Sequence, residues 1–207
     1  EIRLSLVGSE MCIRDRTMTV DAFKSFSKKQ LILLNWWTDS SPYKNRDAII
    51  CDGSVRSGKT VCMFLSFIFW AFYMFSDSSF AVCGKTITSL RRNIITPMLP
   101  MLRSLGFTYE ELVSKNMIII KKDGRENRFY IFGGKDEGSA ALIQGMTLSG
   151  VMLDETALMP RSFCEQAIAR CSVDNSRLWF NCNPENPAHW FLSLIHISEP
   201  TRLRRIS

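Results

Sequence analysis

Short apolar runs alternate with longer helical segments along most of the chain. The four runs with the length of buried strands are residues 48–51, 80–83, 150–153 and 177–183. Residues 61–75 are apolar on nearly all sides, which is typical of a helix buried on every face. Residues 89–105 have helical spacing of apolar positions, although Pro97 and Pro100 are expected to interrupt that helix. Strands that alternate with helices predict an α/β fold with a mostly parallel central sheet flanked by helices.

Two further segments add to this pattern. Residues 116–122 and 128–133 flank the polar stretch 123–127, which predicts a β-hairpin added antiparallel to the sheet. Near the start, residues 21–37 read as a loop entering a helix, with Ser27 as its N-cap.

Composition bounds the class of protein. A chain of 207 residues with 46% hydrophobic and 22% charged residues has the make-up of a soluble globular domain. The seven cysteines form no C-x-x-C pair, which favours reduced, buried thiols over a disulfide framework or a zinc site. The apolar segment 61–75 is shorter than the roughly 20 residues of a membrane-spanning helix, so we expect no membrane association.

The two ends of the chain are related at the DNA level. Residues 6–16 and 192–202 can be encoded by one DNA element read in opposite senses, as in a translated sequencing-library adapter. We therefore interpret residues 1–16 and 192–207 as non-native flanks around a native domain at 17–191. The first flank is neutral and the second carries +2, so the native part keeps +4 of the formal charge of +6. This mildly basic balance is compatible with a polyanionic partner.

A phosphate-binding loop follows the first predicted strand. It matches G-x-x-x-x-G-K-[ST] at every fixed position, through Gly53, Ser54, Val55, Arg56, Ser57, Gly58, Lys59 and Thr60. In this strand–loop–helix context, backbone N–H groups and Lys59 are expected to bind phosphate oxygens, and Thr60 to bind Mg²⁺. Gln30, some twenty residues upstream, stands where several P-loop motor families use a glutamine to bind adenine; a solvated helix glutamine is the alternative.

A second chemical centre follows the strand 150–153. Asp154 is expected to hold Mg²⁺, and Glu155 to accept a proton from the attacking water. The paired acids are typical of ATPases that drive motors and helicases, so we predict ATP and Mg²⁺ as ligands. The next strand ends in asparagines, of which Asn183 is the first candidate for sensing the γ-phosphate and Asn181 the second.

Five stretches together resemble the ATPase domain of the large terminase subunit of tailed bacteriophages, in the group that includes defective-prophage terminases. The resemblance covers about residues 23–191. The stretches are G-S-V-R-S-G-K-T, F-A-V-C-G-K-T, F-G-G-K-D-E-G-S-A, L-I-Q-G-M-T-L-S-G-V-M-L-D-E and N-C-N-P-E-N-P-A-H-W-F.

The resemblance implies an additional-strand, catalytic-glutamate P-loop ATPase that drives double-stranded DNA into a procapsid. It implies a homo-oligomeric ring on the portal protein, a small terminase subunit as partner, and a place in the host cytoplasm. It also implies roles for Lys59, Thr60, Asp154 and Glu155 as above, for Asn183 in coupling, and for Arg56 as an arginine acting in cis. The family's nuclease domain would lie beyond residue 191, so we expect no nuclease activity.

Alternatives remain for the trans-acting arginine and for the function of the whole protein. Gln144 stands where many packaging ATPases have an arginine, so no trans-acting arginine is assigned there; Arg170 is a candidate that no motif supports. A helicase-like or DNA-repair ATPase would share the phosphate loop and the acid pair. A non-catalytic nucleotide-binding module is the third possibility.

Overall fold

A single sheet organises the chain, which we describe from a computed structural model covering residues 26–52, 58–182, 190–191 and the backbone of 203–206. The strands run in the order β3-β4-β5-β2-β6-β7-β1-β8. Their bounds are β1 Ala48–Asp52, β2 Ser78–Gly84, β3 Thr108–Leu112, β4 Met117–Lys122, β5 Arg125–Gly133, β6 Gly150–Leu153, β7 Arg177–Cys182 and β8 Leu203–Ile206. The helices are α1 Lys28–Asn35, α2 Lys59–Met74, α3 Ile87–Leu90, α4 Thr96–Ser104 and α5 Arg161–Ala169.

In the part of the sheet with the order β5-β2-β6-β7-β1-β8, every pair of neighbouring strands is parallel. Strands β3 and β4 are added antiparallel at the other edge. The predicted α/β fold with a mostly parallel sheet and an antiparallel hairpin is therefore confirmed. Strand β8 lies within the segment 192–207, whose interpretation as a non-native flank stays a prediction.

Helix α2 forms the centre of the larger hydrophobic core, as its all-round apolar pattern predicts. The Phe67 ring packs edge-on against Trp179 of β7, with ring centroids 5.1 Å apart. On the same helix, Ser66 accepts a hydrogen bond from Trp179 Nε1 and donates one to the Leu34 carbonyl of the α1 segment. The serine hydroxyl thus satisfies polar groups on both sides of the buried helix. Among the described residues, no helix is long and apolar enough to cross a membrane.

The helix predicted over residues 89–105 continues past both prolines instead of breaking. A π-helical turn, Arg91–Ile95, joins α3 to α4, and its last bond runs from the Thr96 N–H to the Arg91 carbonyl. Pro97 then falls in the first turn of α4, where a missing N–H costs little. The wider π turn directly precedes Pro97, whereas Pro100 lies inside α4.

The hairpin β4–β5 is tighter than its sequence suggests. Its turn is only Asp123-Gly124, with φ of 50° and 77°, which are the positive values that a type I′ turn requires. Strand β3 was not predicted; it pairs with β4 along the sheet edge and is largely exposed.

Candidate nucleotide-binding site

The carboxyl ends of β1, β7 and β6 meet at one edge of the sheet. Strand β7 lies between the strand that leads to the phosphate loop and the strand that leads to the acid pair. Asn181 is aligned with Cys51 near the end of β1. The Asp154 N–H donates to the Cys83 carbonyl at 2.8 Å, which fixes the first acid just beyond β6. Sheet topology thus brings together residues that are about a hundred positions apart in sequence.

The side chain of Asn181 joins the two predicted metal ligands. Its Nδ2 donates to Asp154 Oδ1 at 2.6 Å and to Thr60 Oγ1 at 3.2 Å. Asp154 and Asn181 are each only 8% exposed. A hydroxyl oxygen and a carboxylate oxygen therefore converge on one amide nitrogen at the start of α2.

This donor set fits magnesium. Mg²⁺ prefers oxygen ligands and commonly takes one or two carboxylates together with substrate phosphates. Within the described ranges, His, Cys, Asp and Glu form no cluster of three or more that could hold a metal by itself. Thr60 and Asp154 are thus suited to a cation that is shared with a phosphate ligand.

The electrostatics of Asp154 reflect its position. Burial raises its pKa from the ordinary 3.8 to about 6, opposed by the hydrogen bond from Asn181 and raised further by the charge of Glu155. The charge of Lys59 also lowers the pKa of Asp154, although by less. Keeping Asp154 in its charged form therefore costs free energy, and a nearby positive charge would reduce that cost.

The described part of the phosphate loop is its last glycine and the helix start. Gly58 has φ of 75°, in the left-handed region that favours glycine, and directly precedes α2. Helix α2 therefore begins at Lys59, as the motif requires. Residues 53–57, including the candidate arginine Arg56, lie outside the described residues, as does Asn183.

Gln30 lies against the end of the phosphate loop. Its Oε1 accepts a hydrogen bond from the Ser27 N–H at 2.9 Å, and its own N–H donates to Ser27 Oγ, which completes a capping box at the start of α1. A Cβ added to Gly58 would lie 3.0 Å from Gln30 Nε2. The predicted cap at Ser27 is confirmed, whereas adenine binding by Gln30 stays a prediction.

Glu155 differs from its neighbour in both exposure and backbone. It is exposed and adopts φ 53° and ψ 46°, an uncommon left-handed conformation for a residue other than glycine. Its carbonyl accepts from the Leu158 N–H at 2.9 Å. One acid is thus buried and hydrogen-bonded to Asn181, while the next is exposed at the sheet edge.

Thr156 is a functional candidate that the sequence did not single out. It is fully buried, and its hydroxyl lies 3.0 Å from the Asn181 carbonyl and 3.3 Å from the Leu153 carbonyl. Its only sequence signal is its place directly after the acid pair. The contact with Asn181 depends on the pairing of β6 with β7, which local patterns do not reveal.

Gln144, where no arginine is available, and the candidate Arg170 both lie apart from this cluster. Gln144 is exposed in the segment before β6. The Arg170 carbonyl accepts from the Leu148 N–H, which places this residue near the opposite, amino-terminal end of β6. Neither position contacts the described part of the site.

The stretch F-G-G-K-D-E begins at the carboxyl end of β5 and lies at the same edge of the sheet. A Cβ on Gly134 would lie 2.6 Å from Phe163 Cδ1, so this glycine is required by close packing against α5. The Gly134 N–H donates to the Gly84 carbonyl, and Lys85 Nζ donates to the Lys135 carbonyl at 3.1 Å. These bonds join the ends of β2 and β5, and β2 is the neighbour of β6 in the sheet.

Comparisons with known proteins identify the family of this chain. Residues 50–198 match the family model for the N-terminal region of terminase large subunits of the T4likevirus type. No curated protein sequence matches the chain.

Several solved structures are similar. A large terminase from a thermophilic bacteriophage is 49% identical with a TM-score of 0.84, over 88% of this chain and 45% of that one. The complex of that terminase with ATP-gamma-S matches at 47% identity and a TM-score of 0.81, over 88% and 44% of the two chains. The ATPase domain of the Thermus phage P74-26 large terminase, at 16% identity, shares the fold with a TM-score of 0.57 over 79% and 66%.

The present chain thus spans less than half the length of the thermophilic-bacteriophage terminase. The residues that match the family model include the described end of the phosphate loop, the acid pair and Asn181. The chain belongs to the terminase large subunit family, and it matches the N-terminal region of that family.

Proposed function

We propose that this chain is the ATP-hydrolysing motor domain of a phage large terminase, and that the whole protein drives double-stranded DNA into a procapsid. The observation that carries the proposal is the cluster in which Asn181 joins Thr60 and Asp154 beside an exposed Glu155. Two side-chain oxygens suited to a cation and an exposed carboxylate, all at the end of a phosphate loop, support hydrolysis of a nucleoside triphosphate.

Each residue has a distinct part in this proposal. Lys59 contacts the β- and γ-phosphates, and the N–H groups at the start of α2 add further donors. Thr60 and Asp154 hold magnesium, which, when bound, neutralises charge on the phosphates. Glu155 orients the attacking water and accepts its proton. Arg56 stabilises charge at the transferred phosphoryl group in cis, and Asn183 couples hydrolysis to movement.

The relatives support nucleotide binding. The large terminase of the thermophilic bacteriophage has been solved with ADP and with ATP-gamma-S. These two structures are 48% and 47% identical to this chain, over 87% and 88% of its length. We extend nucleotide binding from those proteins to this chain, with adenine at Gln30.

The partners follow from the role of a packaging motor. We propose a homo-oligomeric ring docked on the portal of the procapsid in the host cytoplasm, supplied with DNA by the small terminase subunit. DNA contacts are expected mainly at phosphates. Binding should therefore weaken steeply with salt and show little sequence preference.

The experiment that tests the packaging role uses the full-length gene. Purified protein, procapsids, ATP and duplex DNA are incubated, and DNA protected from nuclease inside the capsids is measured. Packaging by wild type and none by Lys59→Ala are expected. Efficient duplex unwinding without packaging would instead favour the helicase-like alternative. If Lys59→Ala left ATP turnover unchanged, the phosphate-loop assignment would fail.

A further inference from the structure

Thr156 lies at the carboxyl ends of β6, which leads to the acid pair, and β7, which carries Asn181. Its side chain is buried completely, and its hydroxyl proton faces two carbonyl oxygens, those of Leu153 in β6 and Asn181 in β7. A buried hydroxyl that bridges the two strands here adds a restraint between them, because the pairing of β6 with β7 ends at Leu153 and Phe180, one residue before Asn181.

The restraint acts on both halves of the candidate site. On one side, Thr156 directly follows Glu155, whose backbone has the left-handed φ of 53°. Such a conformation costs free energy and persists only where neighbouring contacts hold it. Two contacts of this kind are the bond from the Thr156 hydroxyl to the Leu153 carbonyl and the bond from the Leu158 N–H to the Glu155 carbonyl.

On the other side, Thr156 contacts the backbone of Asn181, whose side chain joins the two candidate metal ligands. Its bond to the Asn181 carbonyl fixes the peptide from which the Asn181 amide reaches Asp154 and Thr60. A shift of β7 along β6 would therefore move that amide away from both oxygens and would turn Glu155 with it. One hydroxyl thus links the position of the candidate base to that of the ligand pair.

We infer that Thr156 is a positioning residue for ATP hydrolysis, acting through Glu155 and Asn181 without touching the nucleotide. The inference rests on the proposed function. A purely space-filling threonine would be replaceable by valine, which has nearly the same shape and no hydroxyl. A positioning threonine would not be, because valine leaves the two carbonyls facing a methyl group.

The first test compares Thr156→Val with wild type in steady-state ATP hydrolysis and in binding of ATP-gamma-S. The kcat should fall about 10- to 100-fold, the loss expected when a catalytic group is displaced by about 1 Å. The KM for ATP and the Kd for ATP-gamma-S should stay within about twofold, because Lys59 and the phosphate loop are untouched. A Thr156→Val protein with wild-type kcat would overturn the inference.

A second pair of variants avoids the extra methyl group that valine puts in place of the hydroxyl, since neither variant has the γ-methyl of threonine. Thr156→Ser and Thr156→Ala both lack it and differ only in the hydroxyl. Serine should retain most of the wild-type kcat, and alanine should lose it as valine does, with melting temperatures recorded for both. Equal kcat in the serine and alanine variants would show that the hydroxyl has no positioning role, even if the valine variant failed to fold.

Wild type and Glu155→Gln serve as references in the same assays. If the wild-type chain hydrolyses ATP, Glu155→Gln does not, and Thr156→Val matches wild type, then only the role of Thr156 is wrong. If wild type and Glu155→Gln release phosphate equally, the proposed function itself fails and the role of Thr156 fails with it.

Discussion

Replacing Asp154 by asparagine should stabilise the protein in the absence of nucleotide and divalent cations. Burial raises the pKa of Asp154 from 3.8 to about 6. The folded state therefore binds a proton that the unfolded state has released, between about pH 4 and pH 6. The free energy of unfolding must fall as pH rises through this window, and it stays lowered above it. At about 1.4 kcal/mol for each pH unit, the charged carboxylate costs the fold about 3 kcal/mol.

Asparagine keeps the shape and leaves an oxygen that can still accept from Asn181 Nδ2, but it carries no charge. Urea denaturation in EDTA measures the difference. At pH 8, Asp154→Asn should be more stable than wild type by up to about 3 kcal/mol. At pH 4 the gap should nearly close, because Asp154 is then largely protonated in the native wild-type protein.

The matched control is Asp174→Asn, at an exposed turn position before β7, which should change stability by less than about 0.5 kcal/mol. A wild-type protein more stable than Asp154→Asn at pH 8 would show that burial does not make the charged carboxylate destabilising. So would a stability difference that does not depend on pH.

Two further variants test packing and hydrogen bonding around the site. Gly134→Ala should cost about 1–3 kcal/mol in thermal denaturation, because its Cβ would lie 2.6 Å from Phe163 Cδ1; Gly138→Ala, where the added Cβ meets nothing closer than 3.4 Å, is the control, and equal losses would contradict the packing argument. Asn181→Ala should cost about 1.5–3 kcal/mol at pH 8 from its bond to charged Asp154. A double-mutant cycle with Asp154→Asn should show a smaller loss in the uncharged background, and an equal loss in both would show that the charge is irrelevant.

The parts of the fold that follow from local chemistry were predictable. Ser27 caps α1 because Ser and Gln three residues apart satisfy each other's backbone N–H groups. Helix α2 is buried because its apolar residues leave no polar face. Both features depend on neighbours within a few residues, so the sequence alone indicates them.

Other features depend on contacts between distant segments. Strand β3 carries Thr108, Glu110 and Glu111 on a mostly exposed edge, so no alternation of apolar residues marks it. The helix continues past Pro97 after a π turn, which no local pattern predicts. In both cases the surrounding sheet and core, and not local propensity, decided the structure.

The site was predicted in its parts but not in its connections. The phosphate-loop motif and the paired acids identified Thr60 and Asp154, and the strand ending in asparagines placed Asn181 second to Asn183. That Asn181 joins these two side chains follows from β7 lying between β1 and β6, a strand order that the sequence does not state. Thr156 escaped notice for the same reason.

Hydrolysis of ATP by this cluster through Glu155 is the activity on which the proposed function depends. It is tested most directly by measuring phosphate release by wild type and Glu155→Gln, with ATP-gamma-S binding measured on the same samples. Wild type should release phosphate, and Glu155→Gln should bind ATP-gamma-S normally but turn over at least about 100-fold more slowly. Equal phosphate release by the two proteins would contradict the account.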